Sequence, residues 1–353
     1  MKFRTIITLL LTTGSTAVVA GGFETTALST SFMYESGSYG EASLSSRTYD
    51  ITGTVYAPTG SPVKNLSKPA FAFKSDIFDN VALGLSYYNQ GAVQLDYSGA
   101  GSAAAAILPV VDLTIDALTL QAKYDYSKNI AVIAGIKNTT VQDATANIFQ
   151  SVPLAASTIT GKSEMGYIVG AAYSIPEIAF RAELLYETET NFSLDTVSPA
   201  GAGKTTGSIP DYMTLNFQSG VADGTLVFGS MRRADWANHQ LKVHPMATDT
   251  SSFTNTTTIN VGVGRKVTDA LSLIGTYGTE AKGDAAGTSL LSMTNGYQGI
   301  TIAGRYTLEN ATITAGYNYT MFGDKTVTPP GGAAGSFTGN KVTGFGVKVG
   351  FSF

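Results

Sequence analysis

The chain has 353 residues, no cysteine, two histidines and a formal charge of −4, and only 14% of its residues are charged, against about 25% in soluble domains. That balance argues against nucleic-acid binding, which needs dense basic patches, and it leaves thiol chemistry without a nucleophile. The chain is poor in charge for a soluble domain, yet beyond residue 20 no apolar run approaches the ~20 residues of a membrane helix. Lipid-facing β-strands, in which only alternate residues touch lipid, reconcile the two facts.

The chain opens with Lys2 and Arg4, followed by apolar stretches at residues 6–11 and 17–20, with small residues Val18 and Ala20 suited to a signal-peptidase site. Residues 1–20 read as a secretory signal peptide with the mature chain starting near Gly21. Residues 12–16, TTGST, interrupt the run too early for a membrane anchor. Loss of Lys2 and Arg4 takes the charge from −4 to −6. An exported chain without disulfides must hold its backbone another way, and a closed hydrogen-bonded barrel does so. Residues 21–37 form a short N-terminal segment, and residues 38–353 carry the barrel.

A short polar turn followed at once by alternating apolar residues recurs six times: SDIFDNVALGLSY from Ser75, YSKNIAVIAGI from Tyr126, SIPEIAFRAEL from Ser174, GVADGTLVFGS from Gly220, KVTDALSLIGTY from Lys266 and TLENATITAGY from Thr307. Asp, Asn, Pro and Gly suit such tight turns. Successive turns lie about 41–50 residues apart, room for two strands and one longer loop rich in Gly, Ala, Ser, Thr and Pro. Six hairpins, a first strand near residues 38–56 and a last near residues 340–353 predict an all-β antiparallel transmembrane barrel of about 14 strands, with short periplasmic turns and longer outer loops. A propeller of similar repeat length would need four strands per period.

Alternation assigns the faces. Phe345, Val347, Val349, Phe351 and Phe353 share one face of the last strand, opposite Lys348; Leu118, Leu120, Ala122 and Tyr124 oppose Gln121 and Lys123; Leu184 and Tyr186 oppose Arg181, Glu183 and Glu187. The apolar sets should face lipid and the polar sets a lumen, with tyrosines near strand ends as an interfacial girdle.

The stretch SIPDYMTLNFQSGVADGTLVFGSMRRADW (residues 208–236) resembles the eighth and ninth strands of the FadL-type outer-membrane transporters, and SFMYESGSYGEASLSS from Ser31 resembles the first strand of shorter members. The terminal VKVGFSF resembles the signal read by the barrel-assembly machinery, which makes that machinery a partner during biogenesis. The resemblance implies an outer-membrane location, contact with outer-membrane lipid and lipopolysaccharide, no cofactor, and passive uptake of a hydrophobic small molecule, long-chain fatty acids above all. The sequence departs from the pattern at its N-terminus: about ten residues precede strand-like sequence and no Asn-Pro-Ala motif occurs, so the hatch is reduced or missing.

Three sets of residues are candidates for the path. The apolar stretch AAAAILPVV (residues 103–111) costs solubility unless it meets ligand, lipid or another loop. The resemblance makes it the third outer loop of a hydrophobic groove, with Ile107, Leu108, Val110 and Val111 as contacts. Inward-facing Lys123, Lys137, Arg181, Arg305 and Lys348 suit a carboxylate, although lumenal charges also pair with one another, as Arg181 could with Glu183 or Glu187. Gly84 and the Asn89-Gln90-Gly91 interruption mark a bend, and by resemblance a lateral opening.

A general diffusion porin is the alternative function, but it calls for opposed charge ladders and an acidic loop, where this loop is apolar. A barrel enzyme would need a Ser–His pair, and His239 and His244 in one outer loop have no evident partner in the sequence.

Overall fold

The computed structural model describes residues 21–99, 108–148, 157–329, 332 and 334–353. Fourteen long strands form one antiparallel sheet: β1 (Tyr39–Asp50), β2 (Leu66–Phe78), β3 (Val81–Asp96), β4 (Val110–Asp125), β5 (Ile130–Val141), β6 (Lys162–Ile175), β7 (Phe180–Glu187), β8 (Tyr212–Ala222), β9 (Thr225–Ala234), β10 (Thr256–Lys266), β11 (Leu271–Glu280), β12 (Tyr297–Thr307), β13 (Ala311–Phe322) and β14 (Lys341–Ser352). Each pairs with the next, and β14 returns to β1 in register from Tyr39↔Ser352 to Asp50↔Lys341. Closure leaves the sheet without an end strand, as an apolar surround requires.

All six tight turns fall where the sequence places them, because their chemistry is local. At the β8–β9 turn, Ala222 pairs with Thr225 around Asp223 and Gly224, and Gly224 takes φ +65°, a conformation costly for other residues. The resembling stretch is indeed the eighth and ninth strands. The face assignments also hold: Leu118, Leu120, Leu184, Phe345 and Phe351 point outward and exposed, while Gln121, Lys123 and Glu187 are buried inside. Some forty large apolar side chains project from the outer wall, a belt that only lipid can cover.

The first strand is shorter than predicted, ending at Asp50. Beyond it the chain enters a small outer sheet made by Gly53–Val55, Ala57–Pro58, Ala286–Gly287, Lys325–Val327 and Gly335–Phe337. Two hairpins, Ala144–Asn147 with Ser157–Ile159 and Thr190–Ser198 with Gly201–Ile209, extend the wall outward. Together the loops bury the largest apolar cluster of the molecule, including Ile51, Val55, Leu95, Tyr97, Leu108, Val111, Trp236, Met293 and Phe337. The outer end of the barrel is therefore a packed apolar cap.

Candidate functional site: a filled lumen and a gap in the wall

Residues 21–38 run the length of the lumen. At the outer end the Gly21 N–H donates to Glu280 Oε1 (3.1 Å), and Phe23 packs edge-on against Trp236 (4.6 Å between centroids) and Phe253 (5.3 Å). Midway, Thr30 Oγ1 donates to Glu183 Oε1 (2.6 Å). Below, Phe32 and Met33 pack where a Cβ on Gly84 would stand, and the Tyr34 hydroxyl donates to Glu183 Oε2 (2.5 Å). Near the periplasmic end Lys74 Nζ donates to the carbonyls of Glu35 (2.7 Å) and Gly37 (2.9 Å).

The segment is anchored by a buried ionic chain. Arg232 of β9 clasps Glu24 with Nη2–Oε1 at 2.7 Å and Nε–Oε2 at 3.1 Å, and its Nη1 reaches Glu187 Oε1 at 2.8 Å; Lys137 Nζ holds Glu187 Oε2 at 2.9 Å. Two carboxylates meet two cations, so the chain is neutral, which is what makes its burial tolerable. Tyr212 lies face-on to the Arg232 guanidinium at 3.8 Å.

Beside this segment the wall is interrupted. β2 and β3 pair from Phe78↔Val81 up to Phe71↔Tyr87. Further out the Lys64 N–H donates to the Gln94 carbonyl (3.0 Å) and the Asp96 N–H to Pro62 (2.7 Å). Between these points residues 65–70 and 88–93 share no ladder. There β3 turns inward: it stops alternating and is buried on both faces from Tyr88 to Val93. It takes the N-terminal segment as its neighbour instead. Glu24 bridges to Gly91, the Thr25 N–H donates to the Gln90 carbonyl (2.8 Å), and the Ala92 N–H to the Phe23 carbonyl (3.1 Å).

Local chemistry favours the bend. A bulge between Asn89 and Gly91 breaks the β3–β4 register, and Asn89 Nδ2 bonds the Ile115 carbonyl (3.0 Å) and Asp116 Oδ1 (3.0 Å) across it. A side chain on Gly91 would meet Phe23 at 2.9 Å. On the facing strand Pro69 lacks an N–H to pair, a residue suited to a strand edge. A cavity of about 120 Å³ lies at the gap, lined by lumenal Ser43, Ser45, Arg47, Lys68 and Ser86 and by Leu44, Phe71 and Tyr87 of the lipid-facing set. Its size is close to the ~150 Å³ that accepts one benzene, so a longer molecule would extend beyond it.

The basic residues singled out in the sequence do not form one cluster. Lys137 belongs to the ionic chain. Lys123 pairs with Asp125 (2.6 Å), and Lys348 pairs with Glu41 (3.1 Å) beside the cavity. Arg181 lies over the Tyr34 ring at 3.7 Å and bonds Gln218 (3.2 Å), rather than Glu187, whose oxygens go to Lys137 and Arg232. Arg305 is buried in the lower lumen. Leu108 and Val111 are buried in the outer cap and Val110 is half-buried as the first residue of β4, while Ile107 lies outside the described residues. Their loop joins β3 to β4 and is the second outer loop, not the third, because one outer loop alone precedes it.

Arg232 and Lys68 were missed; the inward parity of Arg232 with Leu226 and Phe228 in β9 was the available signal. The histidines do have partners. His239 Nδ1 lies 2.7 Å from Ser208 Oγ, and His244 Nε2 lies 3.2 Å from the Gly201 carbonyl. Glu189 stands 3.9 Å from His239 Nε2, beyond hydrogen-bond reach, so the third member of a nucleophilic triad is not engaged.

No family model and no curated protein sequence matches the chain. Solved structures do match its fold. A Pseudomonas aeruginosa FadL homologue superposes with a TM-score of 0.76 at 13% identity over 92% of each chain. The P. putida toluene transporter TodX gives 0.67 at 12% identity over 91% of each chain. The Ralstonia pickettii toluene transporter TbuX gives 0.63 at 11% identity over 91% of this chain and 90% of its own. The molecule is a fourteen-stranded transmembrane barrel with an occupied lumen and an interrupted wall. Its fold is that of the FadL and TodX channels, as the sequence resemblance implied.

Proposed function

We propose that this protein is an outer-membrane channel for the passive uptake of hydrophobic molecules, with long-chain fatty acids as the cargo. One observation carries the reading: the β2–β3 ladder breaks beside a cavity in a barrel whose axis is filled by residues 21–38. A polar solute needs an aqueous axis. A hydrophobic one needs only to leave water, gaining about 0.8 kcal/mol per buried CH₂, and then to pass sideways into lipid of equal apolarity. The shared fold with toluene transporters and a FadL homologue supports the same class of cargo, and a benzene-sized cavity also suits a small aromatic ring.

The test is planar-bilayer conductance of the purified barrel with and without oleate, joined to oleate uptake by Ala70→Trp, which fills the cavity from its lumenal side. Little steady ion conductance in the parent and reduced uptake in the variant are expected. Large steady conductance indifferent to oleate would mark a diffusion porin instead.

A further inference from the structure

Glu280, the last residue of β11, is a buried carboxylate that neither the ionic chain nor the gap uses. It is 4% exposed. Its oxygens accept from two neutral donors, the Gly21 N–H (3.1 Å to Oε1) and the Thr258 hydroxyl (3.2 Å to Oε2). Among the described residues it forms no ion pair with a lysine or arginine, and the charge that bears on it is that of Glu24, of like sign. Glu183 is also buried outside an ion pair, but it takes three donors, from Thr30 (2.6 Å), Tyr34 (2.5 Å) and Asn216 (2.9 Å), and has the Arg181 guanidinium as an electrostatic neighbour. A buried carboxylate is costly unless a cation completes it.

The backbone around Gly21 is fitted to bring its nitrogen to Glu280. The Gly21 carbonyl accepts from the Thr254 N–H at 2.9 Å. A Cβ on Gly21 would collide with Thr256 Cγ2 and stand 2.7 Å from the Thr254 carbonyl, and a Cβ on Gly22 would collide with the Trp236 ring. Glycine at both positions lets the chain lie this close. We infer that proteolysis between Ala20 and Gly21 completes the site: the α-ammonium so formed pairs with Glu280. Hydrolysis adds water across that peptide bond. The hydroxyl goes to the Ala20 carbonyl carbon, and the Gly21 nitrogen takes up protons to become an α-ammonium, a group largely charged at neutral pH. Standing where the amide nitrogen stands, it gives Glu280 a cation and turns a neutral contact into a charge-assisted one. Export processing thereby creates a second anchor for the N-terminal segment, beside the clasp of Glu24 by Arg232. This anchor is independent of which cargo the channel carries.

The experiment uses the barrel purified from outer membranes. Its first residue is read by N-terminal sequencing, and its amines are acetylated with N-hydroxysuccinimidyl acetate at neutral pH, both folded and after unfolding by heating in urea. Residues 21–47 make up the first tryptic peptide and contain no lysine, so an acetylated amine on that peptide is the α-amine. The chain should start at Gly21, and its α-amine should react at least about tenfold more slowly in the folded barrel than in the unfolded chain. Glu280→Gln should lose roughly tenfold of that protection, the worth of one charge-assisted hydrogen bond. Hydrogen exchange at the Thr254 amide, which bonds the Gly21 carbonyl, should quicken in step while amides of the β5–β6 ladder keep their protection. Heat-modifiable gel mobility checks that the variant folds. A first residue other than Gly21, or an α-amine equally reactive folded and unfolded, overturns the inference, and neither result needs a variant. Unchanged protection in a folded Glu280→Gln barrel overturns the pairing with Glu280.

Discussion

Glu24→Ala should release the N-terminal segment without unfolding the barrel. Glu24 and Arg232 are 8% and 7% exposed at their side chains, and removing Glu24 abolishes the contacts at 2.7 and 3.1 Å. The ionic chain then passes from neutral to one net positive charge. Removing one partner of a buried pair costs about 3–5 kcal/mol. Arg232 keeps Glu187 at 2.8 Å and Thr214 at 2.6 Å, so the lower figure applies. The loss falls on docking of the segment and not on the barrel ladders, none of which Glu24 joins. At 1.4 kcal/mol per decade, about 3 kcal/mol raises the undocked population by roughly a hundredfold. Amide hydrogen exchange reads this directly at Thr25 and Ala92, whose N–H groups bond Gln90 and Phe23. Their protection should drop about a hundredfold while amides of the β11–β12 ladder keep theirs. Unchanged protection at Thr25 and Ala92 would refute the latch.

Phe23→Ala removes the ring packed between Trp236 and Phe253, a loss of about 3–5 kcal/mol for a buried aromatic. Because the chain has a single tryptophan, Trp236 emission should shift to the red and become quenchable by acrylamide; an unmoved spectrum would count against the packing. Gly91→Val places a side chain against Phe23 and so expels the segment from the edge of β3, freeing that edge to pair with β2. Oleate uptake should fall with the yield of folded barrel unchanged, and full uptake would mean that the gap is not the exit.

The barrel was legible because its determinants are local. Each tight turn carries its own Asp, Asn, Pro or Gly, and each strand carries a period of two that lipid on one side and a lumen on the other impose. The candidate site was legible only in part. Of Gly84, Asn89 and Gly91, marked for a bend, Asn89 and Gly91 sit at the bulge where β3 leaves β2, while Gly84 still pairs with Lys74 in the ladder below it. Pro69, on the facing strand, signalled an unpaired edge in plain view. The inward lysines and arginines were assigned their face correctly, but a face does not name a partner.

Partner choice is non-local. Glu24 and Arg232 stand 208 residues apart, and nothing in either neighbourhood refers to the other. By itself the sequence determined the number of strands, the side of the wall on which each residue stands and the position of every tight turn, because those follow from alternation and turn chemistry within a few residues. The tertiary structure decided that a short N-terminal segment occupies the lumen, that β3 pairs with it in preference to β2, and that Lys68 lines the resulting gap. These depend on which surfaces meet when the sheet closes into a cylinder, and closure is a property of the whole sheet.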